Sequence, residues 1–384
     1  MLMIDAEQHF AHPVIDDLCR LIHQHQWEAR FEQAFAAVRR YQIAGFPDLC
    51  SLNDYFSWLV GLLEWTPCEN SQGREIYNRI CEFYFVLDQP SLRELQSPQT
   101  PCVPAPALTP LSGWMVDFAR AWGSFLDMPA SLTAQSLQSF YQSPAYNMGE
   151  YITDPGGWKS FNQFFARHVK PGYRPVAAPL DDQVLVSPAD STFVGAWAIS
   201  ADSHITVKSL RWSLDALLAD SPFRERFRSG IFMHSFLNTT DYHRLHTPVS
   251  GRVLESRVIH GQVYLDVIAK PTSDDDDAHQ LTREPVLHAQ DGTGYQFSQT
   301  RGLLVLESSI GLVAVLPVGM CQVSSVVMTA DVGVKLRKGE EFAYFQFGGS
   351  DVVMLFESSA NVSLIMQPGV HYKQGNWIGQ SFPV

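Results

Sequence analysis

The sequence predicts an α+β protein: a helical N-terminal region followed by a mostly antiparallel, β-rich region. Three observations carry this expectation. Apolar residues recur every three or four positions over roughly the first 95 residues. A proline-rich stretch, 97–113, then breaks that pattern. Beyond about residue 180, short runs of Val, Ile and Leu are punctuated by Gly, Pro and Ser, as in short strands and hairpins.

Taken in order, Ile15, Leu18 and Ile22, then Phe31, Phe35 and Val38, then Phe56, Leu59 and Leu63 each mark one face of a helix. Ser91 and Glu94 have capping-box spacing for a short helix. Pro98, Pro101, Pro104, Pro106 and Pro110 make 97–113 read as an extended linker. Helical spacing resumes from Trp114 to about Phe140. These readings divide the chain into a helical accessory domain (1–96), the linker, a helical connection (114–154) and a β-rich domain (155–384). Within the last, strands are expected at Val184–Val186, at Phe193–Trp197, inside Gly251–Lys270 and Gly302–Gly319, and at Val352–Phe356. One helix is expected from Ser213 to about Leu218. The acidic run Ser273–Asp277 reads as a solvated loop tip, because a calcium loop needs alternating ligands and a glycine turn.

The chain has 384 residues, enough for two or three domains, and 46% of them are apolar against 17% charged. Its formal charge of −13 argues against general affinity for nucleic acid and against attachment to anionic lipid by charge alone. The most apolar stretch, Tyr55 to Leu63, is about half the length of a membrane span and is interrupted by Ser57 and Gly61. Asp5, Glu7, His9 and His12 give the N-terminus none of the layout of a signal peptide. Cys19, Cys50, Cys68, Cys81, Cys102 and Cys321 show no CxxC spacing and read as reduced thiols. A cytoplasmic protein is the expectation.

Three constellations carry chemistry. His243 and His246 sit in Asp241-Tyr-His-Arg-Leu-His246, followed by Pro248 and Gly251. Proline and glycine make this a turn rather than a helix interior, and no glutamate stands between the histidines as in a zinc HExxH site, so no metal is assigned. Phe347-Gly-Gly-Ser350 directly precedes the apolar run Val352–Phe356. Such glycines mark a tight turn or bulge, yet they also leave the Gly349 carbonyl open to attack by the Ser350 hydroxyl if a base removes its proton. Ser187-Pro-Ala-Asp190 places an acid between two strand-like runs. Each signal alone is weak.

Together, in this order, these motifs resemble the pyruvoyl-dependent phosphatidylserine decarboxylases. Lys338-Gly-Glu-Glu341 ahead of the glycines is similar to that family, as is the opening motif Ser160-Phe-Asn-Gln-Phe-Phe-Ala-Arg167 with Lys170-Pro-Gly-Tyr-Arg-Pro175. The resemblance covers about 155–384. The helical N-terminal region, Gly113-Trp-Met-Val, Gly156-Gly-Trp158 and Val318-Gly-Met-Cys-Gln-Val-Ser-Ser325 look like a soluble branch that includes fungal enzymes decarboxylating free tryptophan. Gln299-Thr300-Arg301 stands where lipid-acting members carry Asn-Glu-Arg.

The resemblance implies a proenzyme that cuts itself between Gly349 and Ser350, leaving a pyruvoyl group at the head of residues 350–384 and no need for an external cofactor. His246, oriented by Asp190, would be the base for Ser350, by the logic of a Ser-His-Asp triad. A substrate amine would then form a Schiff base with the pyruvoyl carbonyl, and His243 would contact the leaving carboxylate or return a proton. The implied substrate is a free L-amino acid, with an aromatic one such as tryptophan in view. The alternatives are phosphatidylserine, reached through peripheral membrane contact, and an uncut relative that binds a ligand without catalysis. The expected partners are the substrate and the two self-cleavage fragments, with a homo-oligomer left open. Asp351 departs from the Thr or Ser more usual after the serine, and its role is open. Arg167, Lys170 and Arg174 are expected to form local salt bridges.

Overall fold

The computed structural model describes residues 12–99, 107–153, 155–207, 210–271, 285–289, 294–319, 326–347 and 350–384. The Ser273–Asp277 run, Gly348 and Gly349, residues 320–325 and the middle of the proline-rich stretch lie outside them.

The expected helical faces are buried. Pro13–His25, Glu28–Arg39 and Leu52–Leu63 turn Ile15, Leu18, Ile22, Phe31, Phe35, Val38, Phe56, Leu59 and Leu63 into one core with the Glu75–Leu87 helix. Two local readings differ. The helix expected from Trp114 begins four residues earlier, as Pro110–Leu126, because Thr109 caps it and proline is tolerated in a first turn. It does not run to Phe140; Pro129 opens a short 3₁₀ turn, and Ala134–Gln142 is a separate helix. The Ser91–Glu94 capping box does not form either. Pro90 starts that helical turn, and Ser91 Oγ donates instead to the Arg30 carbonyl at 2.8 Å. The expected helix at Ser213 is Leu214–Leu218, with the Ser213 side chain accepting from the Asp215 N–H.

The C-terminal region is built on an eight-stranded sheet. Its order is Lys335–Leu336, Gly251–Ile259, Arg301–Ser308, Gly311–Gly319, Ser350–Phe356, Ile231–Leu237, Ser191–Ala198, His371–Tyr372. Every strand pairing among the described residues is antiparallel. Two three-stranded sheets flank it, one made of Val326–Met328, Glu341–Phe345 and Arg244–His246.

The Ser350–Phe356 strand lies inside the large sheet with all seven residues buried. Because strand side chains alternate, it serves two cores. Val352, Met354 and Phe356 join the core shared with the N-terminal helices, while Val353 and Leu355 join a second core with Phe232, Leu303 and Val318. Ser350 therefore belongs to the helix-facing side and Asp351 to the opposite one. No helix among the described residues is long and apolar enough to cross a membrane.

Candidate active site

Ser350 pairs with Gly319 on one side and Leu237 on the other. It is fully buried, and its Oγ has no hydrogen-bond partner among the described residues. A hydroxyl so placed is costly to bury unless the site gives it something to do. The segment leading to it is held by Phe347, whose ring packs 5.7 Å from Trp122, 5.4 Å from Phe161 and 5.8 Å from Phe165. The Phe347 N–H donates to Asn162 Oδ1 at 3.0 Å, and Asn162 Nδ2 donates to Asp127 Oδ1 at 2.9 Å. Ser160 caps the short Phe161–Phe165 helix, which presents Phe161, Asn162 and Phe165 together. The opening motif and the Pro110–Leu126 helix thus build an aromatic wall around Phe347, three positions before Ser350.

His243 lies against the same wall. The Phe345 N–H donates to the His243 carbonyl at 2.9 Å, so the antiparallel register sets this histidine beside the residues that run into Phe347. Its ring stacks on Phe165, with centroids 3.8 Å apart and planes at 21°. The side chain is fully buried, and neither ring nitrogen makes a hydrogen bond of ordinary geometry. Burial, reinforced by the Arg167 charge, pushes its basicity well below the usual histidine range, although the Asn238 and Asp241 backbone pulls modestly the other way. His243 is therefore a neutral imidazole at pH 7.

His246 has defined partners. Nδ1 lies 2.8 Å from the Gly339 carbonyl, which can only accept, so the proton sits on Nδ1. Nε2 then accepts from the Tyr242 hydroxyl at 3.0 Å, a phenol that burial keeps protonated. Burial also lowers the basicity of His246, and the Gly339 hydrogen bond partly restores it. Gly339 is at φ +81°, and a Cβ there would lie 2.5 Å from Val176 Cγ2, so the carbonyl's position requires glycine.

The expected contact between Asp190 and His246 is not made. Arg174 takes the Asp190 carboxylate through Nε (2.8 and 3.0 Å) and Nη2 (2.5 Å), and the Gln374 N–H adds a third donor at 2.8 Å. A planar guanidinium fork matches a carboxylate better than an imidazole does. Asp190 still raises the basicity of His246 slightly through space, but the group that orients the ring is the Gly339 carbonyl.

Of the three cations expected in salt bridges, only Arg174 forms them, to Asp190 and Glu150. Arg167 donates to the Thr240 carbonyl and Lys170 to the Gly149 carbonyl. The Asp351 carboxylate turns away from the Ser350 side and meets His234 Nε2 at 2.9 Å and Gln296 Nε2 at 2.8 Å, all fully buried. Gly349 lies outside the described residues. Sequence reasoning missed Tyr242, Gly339, Asn162 and Phe347 as functional neighbours, although all four sit inside the motifs it quoted. No group of three or more metal-ligating side chains occurs among the described residues.

A family model described as phosphatidylserine decarboxylase matches residues 161–380, more than half of the chain. Phosphatidylserine decarboxylase proenzyme 3 of Schizosaccharomyces pombe is 34% identical over 236 residues, which are 61% of this chain and 22% of that protein. The phosphatidylserine decarboxylase proenzyme of Clostridium tetani is 28% identical over 273 residues, 69% of this chain and 84% of its own. A protein of Amanita muscaria named decarboxylase iboD is 32% identical over 215 residues, 54% of this chain and 61% of its own.

Proposed function

Because the chain belongs to the phosphatidylserine decarboxylase family, a family of carboxy-lyases, we propose that it cuts itself between Gly349 and Ser350 and removes the α-carboxylate of a free L-amino acid. The observation that carries this reading is the buried Ser350 hydroxyl, which has no hydrogen-bond partner among the described residues and follows, three positions on, a Phe347 packed against Phe165 and so linked to His243.

In the first stage His246 is the base. With Nδ1–H held by Gly339, Nε2 is its basic nitrogen, and it takes the Ser350 proton when Tyr242 gives up its hydrogen bond. Ser350 Oγ attacks the Gly349 carbonyl, an ester replaces the peptide bond, and β-elimination separates 1–349 from 350–384. The residues fit a pyruvoyl group at position 350: the position is buried, and its hydroxyl has no polar competitor among the described residues. The carbonyl of that group supplies an electron sink for decarboxylation. His243 contacts the departing carboxylate or returns the proton to the α-carbon, and the dry aromatic wall disfavours the carboxylate that must leave.

The free amino acid is favoured by the aromatic residues packed on Phe347, three positions before Ser350: Trp122, from the N-terminal helical region, joins Phe161 and Phe165 there, and tryptophan is the first substrate to test. The second reading, phosphatidylserine, is favoured by relatives named for it, including one matched over 84% of its length. Carbon dioxide release from tryptophan, other amino acids and phosphatidylserine vesicles separates the two. Release from vesicles alone overturns the first reading, and a chain that stays at 43.1 kDa on incubation overturns both in favour of a non-catalytic ligand binder.

A further inference from the structure

A cleft of about 500 Å³ opens beside His246, and four cations line it: Arg167, Lys170, Arg174 and Arg244. No carboxylate among the described residues joins them in the lining. Two of the four are neutralised from behind, Arg174 by Asp190 and Glu150, and Arg244 by Glu341. The other two are not. Lys170 Nζ reaches only the Gly149 carbonyl, at 2.7 Å.

Arg167 is the unusual member. It is 1% exposed, yet its guanidinium makes one hydrogen bond, from Nη2 to the Thr240 carbonyl at 3.2 Å. Nε and Nη1 are buried without a partner. Stacking 4.0 Å over the Tyr151 ring offsets some of the lost hydration. It leaves two N–H groups unmet and a buried positive charge with no counter-charge among the described residues. A third orphan donor, Gln374 Nε2, is buried and lines the same cleft. Solvent can satisfy donors but cannot neutralise the charge.

We propose that this cleft binds an oxyanion, a carboxylate or phosphate, with Arg167 as its principal ligand, Lys170 as a second cation and Gln374 as a neutral donor. With Nη2 on Thr240, the open Nε and Nη1 N–H groups lie on different edges of the guanidinium, and each offers one charge-assisted hydrogen bond to an oxygen of such an anion. The cleft shares His246 and Gly339 with the proposed processing machinery, but anion binding in it needs neither the cut at Ser350 nor His243. The anion is either free in solution or the phosphate of a lipid headgroup.

The test is calorimetric titration of the Ser350→Ala chain and of the wild type with inorganic phosphate and with acetate, at fixed ionic strength. Sedimentation with neutral vesicles and with vesicles containing an anionic phospholipid accompanies it. Saturable one-to-one binding is expected, weakened roughly tenfold or more by Arg167→Gln and several-fold by Lys170→Ala. Binding of the free ions without vesicle binding assigns the site to a soluble anion. Sedimentation with anionic vesicles that both substitutions abolish assigns it to a headgroup. Absence of saturable binding in every arm overturns the proposal. If Arg167→Gln does not fold, Gln374→Leu and Lys170→Ala, the latter at an exposed position, decide it: unchanged affinity in both overturns it. Retained binding in the Ser350→Ala chain keeps this outcome distinct from any failure to decarboxylate.

Discussion

The Asp190 carboxylate is held by the Arg174 guanidinium in a bidentate pair, with Nε–Oδ1 at 2.8 Å and Nη2–Oδ2 at 2.5 Å, and both side chains are 4% exposed. The acid that the family resemblance implies as a partner for His246 is thus a counter-ion to an arginine. Asp190→Asn should cost about 3–5 kcal/mol, since it leaves a buried guanidinium with one carboxylate fewer. Urea midpoints with a double-mutant cycle through Arg174→Met check this. A loss below about 1 kcal/mol would contradict the pair's structural role.

Ser350→Ala should leave a single chain of 43.1 kDa, while the wild type separates into residues 1–349 and 350–384. Intact mass spectrometry reads both. A cut alanine variant would remove the serine from the chemistry.

The two histidines should separate by stage. With His246→Ala, processing slows by about 10²-fold or more, the scale of a lost general base. With His243→Ala, cutting proceeds normally and decarboxylation falls by a comparable factor. Time-resolved mass spectrometry follows the first and carbon dioxide release the second. Equal turnover in the His243 variant removes its assigned role.

The two fragments should stay together after the cut. Residues 350–356 form an interior strand between Gly311–Gly319 and Ile231–Leu237, and they bury Val352, Val353, Met354, Leu355 and Phe356 completely. Each such side chain contributes about 1.5–3 kcal/mol of burial, so the fragments should co-elute in gel filtration and part only in denaturant. Separation under native conditions would contradict this.

The two histidines should make part of the stability sensitive to acid. His243 and His246 both resist protonation in the fold, below the ordinary value of 6.5, so between 6.5 and their lowered folded values the unfolded chain binds more protons. Their contribution is complete above pH 6.5 and is lost as pH falls through the folded values. The slope reaches about 1.4 kcal/mol per pH unit for each group. Glu82, pushed up to about 7 by burial, and His371, raised by its hydrogen bond to Asp241, act in the opposite sense, so the readout is a difference: from pH 7 to pH 5 the melting temperature of the wild type should fall relative to that of His243→Phe. An unchanged slope would show that His243 is protonated in the fold.

Much of the plan was legible along the chain. The three-and-four spacing of Ile15, Leu18 and Ile22 names a helical face, and Val352–Phe356 reads as a strand, because both patterns are local. Pro110 misled, since the residue that breaks a helix interior also suits a first turn, and only Thr109 capping distinguishes the two. The site was legible as residue types and less so as pairings. Arg167, Lys170 and Arg174 look alike in sequence, and nothing local says that only Arg174 meets carboxylates.

The sequence by itself determined the helix-then-sheet order, the motif order that marks the family and the serine after two glycines. The tertiary structure decided which atoms meet. Strand alternation turned Ser350 toward the helices and Asp351 toward His234, and register set His243 beside Phe345. A glycine turn from 93 residues away oriented His246. Helix and strand periods are written in neighbouring residues, whereas a hydrogen bond between distant segments depends on how whole layers pack.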